Sequence, residues 1–129
     1  MFKHLLVPVD GSPLTERAIQ ASIDLAQQLG AAITGFIAEG REPGALTDAH
    51  AQAVLARFQA SARAADVVFH GYHDHGARIA PAIIAAAESQ GCDMIVMVTH
   101  GRGPFGEFLF GSQTKAVLAG SKLPLLVLH

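Results

Sequence analysis

The chain has 129 residues, with nine Lys and Arg against eleven Asp and Glu, and a formal net charge of −2 at pH 7. This length suits a single core, so we expect residues 1–129 to form one domain. The balanced charge gives no electrostatic footprint for nucleic acid, and no apolar run reaches the roughly 18 residues that a membrane span needs.

The first strand and the first helix are bounded by clear signals. Phe2–Val9 is an apolar run that an Asp-Gly pair ends, which is typical of a buried strand. Ser12 is a suitable N-cap and Pro13 a suitable first residue for the helix that follows. An apolar stripe at helical spacing then continues to Gly30, which we expect to be the C-cap.

The middle of the chain repeats this alternation. Ala31–Ala38 reads as the second strand, and Thr47 is placed to cap a second helix. We expect a third strand to begin at Asp66–Phe69, with the polar stretch His70–Gly76 leaving it as a loop. A third helix is expected over about residues 78–90, with an irregular first turn because it contains a proline.

The last third carries two more strands, Asp93–Thr99 and Leu125–Leu128, and a short helical pattern at Thr114–Ala119. Apolar strands that alternate with helices predict a doubly wound α/β fold, a parallel sheet with helices on both faces. In such sheets, ligands bind beyond the carboxyl ends of the strands, at the point where the strand order reverses.

A glycine-rich loop, Gly101–Thr114, connects the fourth strand to the last helix. Unpartnered N–H groups and the positive end of a helix dipole meet at such a junction, which suits a phosphate. The GxGxxG match at Gly101 lacks the acidic residue that a dinucleotide fold needs about 20 positions later. A P-loop-like match has Ser112 in place of the lysine, so the loop is poorly equipped to transfer a phosphate.

Several motifs taken together resemble the universal stress protein family over the whole chain. They are the strand end Val9-Asp10-Gly11-Ser12, the turn His100-Gly101-Arg102, the spacing of nine residues between Gly101 and Gly111-Ser112, and the closing strand Leu123–Val127. The resemblance implies a five-stranded parallel sheet in the order 3-2-1-4-5, which would bring Asp10 and Gly101 to one crevice. The nucleotide-binding branch of the family usually has a glycine three residues before Gly101, where this chain has Val98.

The resemblance also implies a function, a regulatory stress-response module that binds ATP or another adenine nucleotide, with or without Mg. It implies that Asp10 accepts hydrogen bonds from a ribose and that the backbone of Ile37 faces the adenine. We expect any ATP hydrolysis to be slow and incidental, because the sequence shows no poised lysine or carboxylate pair. The nucleotide-binding residues that we expect are Pro8, Val9, Asp10, Ile37, Met97, Gly101, Arg102, Gly111, Ser112, Gln113 and Thr114.

Two other functions stay open. Val98 favours a nucleotide-free interaction module of the same fold, because a side chain stands where backbone should approach the ligand. A second cluster, of three histidines and an aspartate, follows the expected third strand, and its imidazoles and carboxylate could bind a transition metal. Exposed polar residues at a strand end are the commoner reason for such a cluster, and we expect no metal at its members, His70, His73, Asp74 and His75.

The final strand predicts self-association. Leu123–Leu128 is apolar and has no charge inside it, and an exposed edge of this kind invites pairing with another chain. The family resemblance implies pairing through this strand, so we expect a two-fold homodimer.

The beginning of the chain and its cysteine content point to a reducing compartment. Met1–Leu5 leads directly into a strand, without the charged region and cleavage site of a signal peptide. The single cysteine, Cys92, excludes a disulfide within the chain and reads as a small, inert apolar residue. We therefore expect a cytoplasmic protein.

Overall fold

The computed structural model describes residues 1–39, 48–75, 78–99, 101–102, 108–109 and 112–128. Among these residues, no helix is both long enough and apolar enough to cross a membrane. The elements, in chain order, are β1 His4–Pro8, α1 Thr15–Leu29, β2 Ala32–Glu39, α2 Asp48–Ala64, β3 Phe69–His75, α3 Ile79–Ser89, β4 Met94–Val98, β5 Gly101–Arg102, β6 Phe108–Leu109, α4 Ser112–Gly120 and β7 Leu125–Leu128.

Five strands form one parallel sheet in the order β3-β2-β1-β4-β7, which confirms the predicted doubly wound fold and its strand order. β1 lies in the middle and pairs with β2 on one side, where Leu5 lies beside Ile33. On its other side β1 pairs with β4, where Leu5 lies beside Met94. The order reverses between β1 and β4, so the two strands continue into helices on opposite faces of the sheet.

The core consists of two apolar layers, one on each face of the sheet. α1 and α2 cover one face, where Ile19 and Phe58 are buried. α3 and α4 cover the other face, where Ile83 and Val117 are buried beside Phe36 of β2. A parallel sheet that is covered on both faces needs strands with continuous apolar runs, which is the pattern of β4 and of β1 after His4.

The first helix begins later than the sequence predicts. α1 starts at Thr15 rather than at Pro13, and its N-cap residue makes no side-chain cap hydrogen bond. Ser12 instead forms a turn ahead of the helix: its hydroxyl accepts the Leu14 N–H at 3.3 Å, and its carbonyl accepts the Thr15 N–H at 3.0 Å. The predicted C-cap is confirmed, because Gly30 adopts the left-handed conformation with φ 65°.

The third strand also lies later than predicted. β3 spans Phe69–His75, so residues 70–75 of the stretch that we expected to be a loop belong to the strand itself, and Gly76 lies outside the described residues. Asp66 lies in the turn before it, with a left-handed φ of 57°. Polar residues suit β3 because it is an edge strand, where one side of the backbone and part of each face meet water. Thr47, the predicted cap of α2, lies outside the described residues.

The glycine-rich segment contains more structure than the predicted loop. β5 and β6 form a two-stranded antiparallel sheet of their own, in which Gly101 pairs with Leu109 and Arg102 pairs with Phe108. The following helix begins at Ser112, two residues earlier than predicted. The β4–α4 connection therefore carries a hairpin before the first turn of the last helix.

A glycine in the middle of the sheet makes room for an aromatic pair. The rings of Phe58 on α2 and Phe69 on β3 lie 4.7 Å apart between centroids. A Cβ atom at Gly35 of β2 would lie 2.7 Å from the Phe69 ring and 3.0 Å from the Phe58 ring. The two rings occupy the space that a side chain at Gly35 would need.

Polar contacts tie the elements together at the amino edge of the sheet. The Asp93 carboxylate accepts the N–H groups of Lys3 at 2.9 Å and His4 at 3.1 Å. Partial burial alone would raise the pKa of Asp93, but these hydrogen bonds lower it below its ordinary value. His4 Nε2 lies 2.7 Å from Thr34 Oγ1. Burial, and next the neighbouring His70, lower the pKa of His4, while Asp93 acts in the opposite direction.

Candidate functional site

A cavity of about 150 Å³ opens at the carboxyl edge of the sheet, between the ends of β1 and β4. Its walls combine the ends of β1, β2 and β4 with the opening turns of α1, α3 and α4. Because the strand order reverses between β1 and β4, their continuing chains part and leave a crevice. The cavity therefore lies where doubly wound sheets bind their ligands.

Polar groups enter the cavity from two directions. Asp10 follows β1, and its Oδ1 accepts the Ser12 N–H at 2.9 Å, so a local turn fixes the exposed carboxylate at the cavity wall. Thr15, in the first turn of α1, also lines the cavity, and its hydroxyl oxygen is buried. Gln113 comes from the first turn of α4. The turn after β1 and the start of the last helix thus meet at one cavity.

The rest of the wall is apolar. Phe36 and Ala38 come from β2, Met97 comes from β4, and Ile79 and Ile83 come from the start of α3. A cavity of about 150 Å³ with such a lining has room for one planar aromatic group, whereas pockets for whole ligands measure roughly 300–1,000 Å³. The cavity suits a planar ring system, and the remainder of a larger ligand would extend outward past the polar groups.

Five of the predicted site residues, Pro8, Val9, Asp10, Met97 and Gln113, line this cavity. They come from the ends of two neighbouring strands and from the helix that follows the second of them, as the topology requires.

Ile37 is placed differently from these five. Its side chain is 1% exposed and belongs to the apolar layer under α1 and α2. Successive residues of a strand point to opposite faces, and its neighbours Phe36 and Ala38 are the ones that line the cavity. The contact that we expect between the backbone of Ile37 and an adenine stays a prediction.

The other predicted residues lie near the start of α4. Ser112 is exposed and faces the groove between α3 and α4 rather than the cavity, whereas Thr114 is buried at 5% exposed. Gly101 and Arg102 form β5, just beyond the end of β4. Gly111 lies outside the described residues.

Sequence reasoning missed the α1 and α3 sides of the cavity. Thr15 and Ala18 of α1, and Ile79 and Ile83 of α3, line it without having been predicted. The available signal was topological: α1 and α3 each follow the carboxyl end of a strand, so their first turns lie at the edge where the ligand site was expected. Val98, which stands in place of the family glycine, also lines the cavity and is half-buried.

The side chains of His70, His73 and Asp74 do not converge. These residues lie within β3, not after it as predicted, and successive residues of a strand point to opposite faces, so His73 lies on one face and His70 and Asp74 lie on the other. His73 Nε2 lies 3.8 Å from Asp48 Oδ1 of α2, whereas the His70 ring lies 6.4 Å from that of His4. Within the part of the chain that the structure describes, no three His, Cys, Asp or Glu side chains come together to hold a metal ion.

Cys92 is buried at 7% exposed, at the amino edge of the sheet and away from the cavity. Burial raises the pKa of its thiol to about 11. The thiol therefore stays protonated at neutral pH, and a protonated, buried thiol is a poor nucleophile.

Comparisons with known proteins agree on one family. The model of the universal stress protein family matches residues 1–129. A protein of Thermus aquaticus, described as a universal stress protein in the QAH/OAS sulfhydrylase 3′ region, is 32% identical over 137 residues and is matched over 100% of both chains.

Solved structures of the same family share the fold. A universal stress protein in complex with cAMP superposes with a TM-score of 0.78 at 23% identity, over 99% of this chain and 97% of its own. The universal stress protein from Archaeoglobus fulgidus in complex with dAMP superposes with a TM-score of 0.75 at 16% identity, over 100% of this chain and 98% of its own.

Proposed function

This chain belongs to the universal stress protein family, and we propose that it binds an adenine nucleotide in the cavity between β1 and β4, as a regulatory module rather than an enzyme. The observation that carries the proposal is the meeting of Asp10 and Gln113 at a cavity whose inner wall is apolar. An adenine ring would lie against Phe36 and Met97, and the ribose hydroxyls would lie near Asp10. Two proteins of similar fold were solved with cAMP and with dAMP, which supports an adenine ligand.

We propose ATP, with or without Mg, as the nucleotide that the chain binds in the cytoplasm. Its phosphates would extend beyond the cavity toward the first turn of α4, where the N–H groups of a helix start favour anions. Ser112 stands where a phosphate-transferring loop has its lysine, so any hydrolysis would be slow and incidental. The nucleotide would then act by changing the surface that the protein offers to a partner.

Isothermal titration of the full chain with AMP, cAMP, and ATP with and without Mg tests this proposal. We expect saturable binding of at least one of these nucleotides with a stoichiometry of one per chain. Absence of heat above buffer dilution at millimolar concentrations of all of them would reject the proposal. Mass spectrometry of small molecules released from freshly purified, denatured protein identifies the nucleotide that the protein carries from the cell.

Val98 supports a second candidate, a nucleotide-free interaction module of the same fold. Its half-buried side chain lines the cavity at the position where the nucleotide-binding branch usually has a glycine. Val98 pairs in register with Leu128 of β7, so it also links the cavity to the edge of the sheet. The same titration separates the two candidates, because this module would bind none of the nucleotides.

We also propose that two copies pair through β7. This strand is an edge of the sheet, and its four residues are apolar and half-buried in the single chain. Leu126 and Leu128 pack onto the layer under α1 and α2. An uncovered apolar edge favours pairing with an identical strand, since a two-fold axis makes one surface complementary to itself.

A further inference from the structure

Thr15 carries a buried hydroxyl that has no hydrogen-bond partner among the described residues. The residue is 2% exposed, and its Oγ1 atom meets neither a donor nor an acceptor there. The backbone at this position is satisfied, because the Thr15 N–H donates to the Ser12 carbonyl at 3.0 Å. A buried polar group without a partner is unusual enough in a folded protein to need an explanation.

A second buried hydroxyl on the same helix shows what a satisfied group looks like. Ser22 is 0% exposed, and its Oγ donates to the carbonyl of Ile19, one turn earlier, at 3.1 Å. Thr15 is the first residue of α1, so no helical turn precedes it. The carbonyl three residues before it belongs to Ser12, which already accepts the N–H of Thr15.

The surroundings of Thr15 indicate where the missing partner lies. Thr15 lines the cavity on the α1 side, together with Asp10 and Ser12. The wall formed by β2 and α3 is apolar, with Phe36 and Ile83. A ligand that fits such a cavity has an apolar ring at one end and hydroxyl or amino groups at the other, which is the chemistry of a nucleoside.

We propose that the Thr15 hydroxyl hydrogen-bonds the bound nucleotide and is a further binding residue of this site; the inference rests on the proposed function. A carboxylate can only accept hydrogen bonds, whereas a hydroxyl can both donate and accept. Thr15 therefore complements Asp10, which can pair only with donors. In the ligand-free protein the Oγ1 atom is closed to water. The side chain therefore has to turn about its Cα–Cβ bond to present the hydroxyl to the cavity, and bound nucleotide would then satisfy a group that the protein alone leaves unpaired.

The valine variant Thr15→Val replaces the hydroxyl by a methyl group of the same shape. We expect it to weaken binding of AMP by about tenfold, since one hydrogen bond to the ligand is lost. The melting temperature of the ligand-free protein should stay the same or rise, because an unpaired buried polar group has been removed. Thr15→Ser keeps the hydroxyl and should keep the affinity for AMP within about threefold of the wild type.

Ser22→Ala is the matched control. It removes a buried hydroxyl of the same helix that is already bonded, away from the cavity, so it should lower the melting temperature and leave the affinity for AMP unchanged. Titration calorimetry and thermal unfolding of the four proteins provide the data.

The outcomes separate this inference from the proposed function. Wild-type protein that binds AMP, with a Thr15→Val variant that binds it equally well, overturns the role of Thr15 and leaves the nucleotide site standing. A Thr15→Val variant with lower affinity and also a clearly lower melting temperature overturns it too, because the hydroxyl then supports the fold. Wild-type protein that binds none of AMP, cAMP and ATP removes the proposed function first and this inference with it. If the wild type binds ATP or cAMP and not AMP, the four proteins are compared with that nucleotide.

Discussion

Asp10 and Gln113 line one cavity, although Asp10 follows the first strand and Gln113 lies in the opening turn of the last helix. The parallel sheet produces this meeting, because β1 and β4 are neighbours and release the chain at the same edge. The cavity between them combines a carboxylate, an amide and an apolar wall. Each of these contributions can be removed separately.

Asp10→Asn removes the charge and keeps the turn. An asparagine Oδ1 can still accept the Ser12 N–H, which the carboxylate accepts at 2.9 Å. We expect the affinity for AMP to fall about tenfold, because hydrogen bonds to a charged group are the stronger ones, while stability changes by less than about 0.5 kcal/mol. Asp24→Asn, at an exposed position of α1 outside the cavity, is the control for calorimetry. Equal affinities for all three proteins would rule out a contact between Asp10 and the ligand.

Val98→Gly restores the glycine that the nucleotide-binding branch of the family usually has. We expect the affinity for AMP to rise in this variant, because it removes a side chain that lines the cavity and takes up space there. Loss of half-buried apolar area and the entropy of glycine should lower the free energy of unfolding by about 2 kcal/mol. Val98→Ala should give an intermediate result, because it frees space without adding backbone freedom. A folded Val98→Gly protein with unchanged affinity would show that the valine does not obstruct the site.

His4 should make stability depend on pH. Burial, and next His70, lower its pKa in the folded protein below the ordinary value of 6.5, with Asp93 opposing them. Between these two pKa values the unfolded chain binds more protons than the folded one, so the free energy of unfolding decreases as the pH falls from about 7. Below the lowered pKa, His4 is protonated in both states and no longer changes the free energy of unfolding as the pH falls further.

Urea denaturation between pH 5 and pH 8 measures this dependence. His4→Gln should flatten it, and His70→Gln should weaken it, because His70 is the second cause of the shift. A His4→Gln protein with the pH dependence of the wild type would contradict the assignment to His4.

Gly35→Ala tests the packing of the sheet against α2. The new Cβ would lie 2.7 Å from the Phe69 ring and 3.0 Å from Phe58, so the aromatic pair must shift. We expect a loss of about 2 kcal/mol in the free energy of unfolding, measured with urea. Gly71→Ala is the matched control, since Gly71 pairs in register with Gly35 and its new Cβ would meet only ordinary contacts, the nearest at 3.5 Å. Equal losses for the two variants would contradict the packing explanation.

The proposed dimer has its own test. Light scattering after size exclusion should give the mass of two chains for the wild type and of one chain for Val127→Lys, because a lysine in an edge strand opposes pairing. Val68→Lys is the control, since Val68 is 62% exposed beside β3 at the opposite edge of the sheet. A monomeric wild type at tens of micromolar, or a Val127→Lys protein that stays dimeric, would contradict pairing through β7.

The sheet could largely be predicted from the sequence. β1 and β4 are buried between helices, and β7 pairs with β4 at one edge of the sheet. Continuous apolar runs in the sequence therefore identify all three strands. β3 was misplaced because it is an edge strand, where water tolerates residues such as His70 and Asp74 that a strand pattern excludes. The start of α1 was misplaced because Ser12 makes its bonds in a turn ahead of the helix.

The strand side of the site and its α4 residue Gln113 could be predicted, whereas the sides formed by α1 and α3 could not. Asp10 and Met97 follow from the rule that ligands bind at the carboxyl ends of parallel strands. Thr15 and Ile83 depend on how the first turns of α1 and α3 pack against the sheet, which the tertiary structure decides. The local sequence marks Thr15 only as a polar residue near a helix start.

The most direct test of a nucleotide site at the carboxyl edge is an NMR titration of ¹⁵N-labelled protein with AMP. We expect the largest and saturable amide shifts at Asp10, Ala38 and Val98, and we expect Asp93 at the amino edge to stay almost unchanged. Shifts concentrated at the amino edge or along β3 would contradict this prediction, as would a lack of shifts with both AMP and ATP at millimolar concentrations.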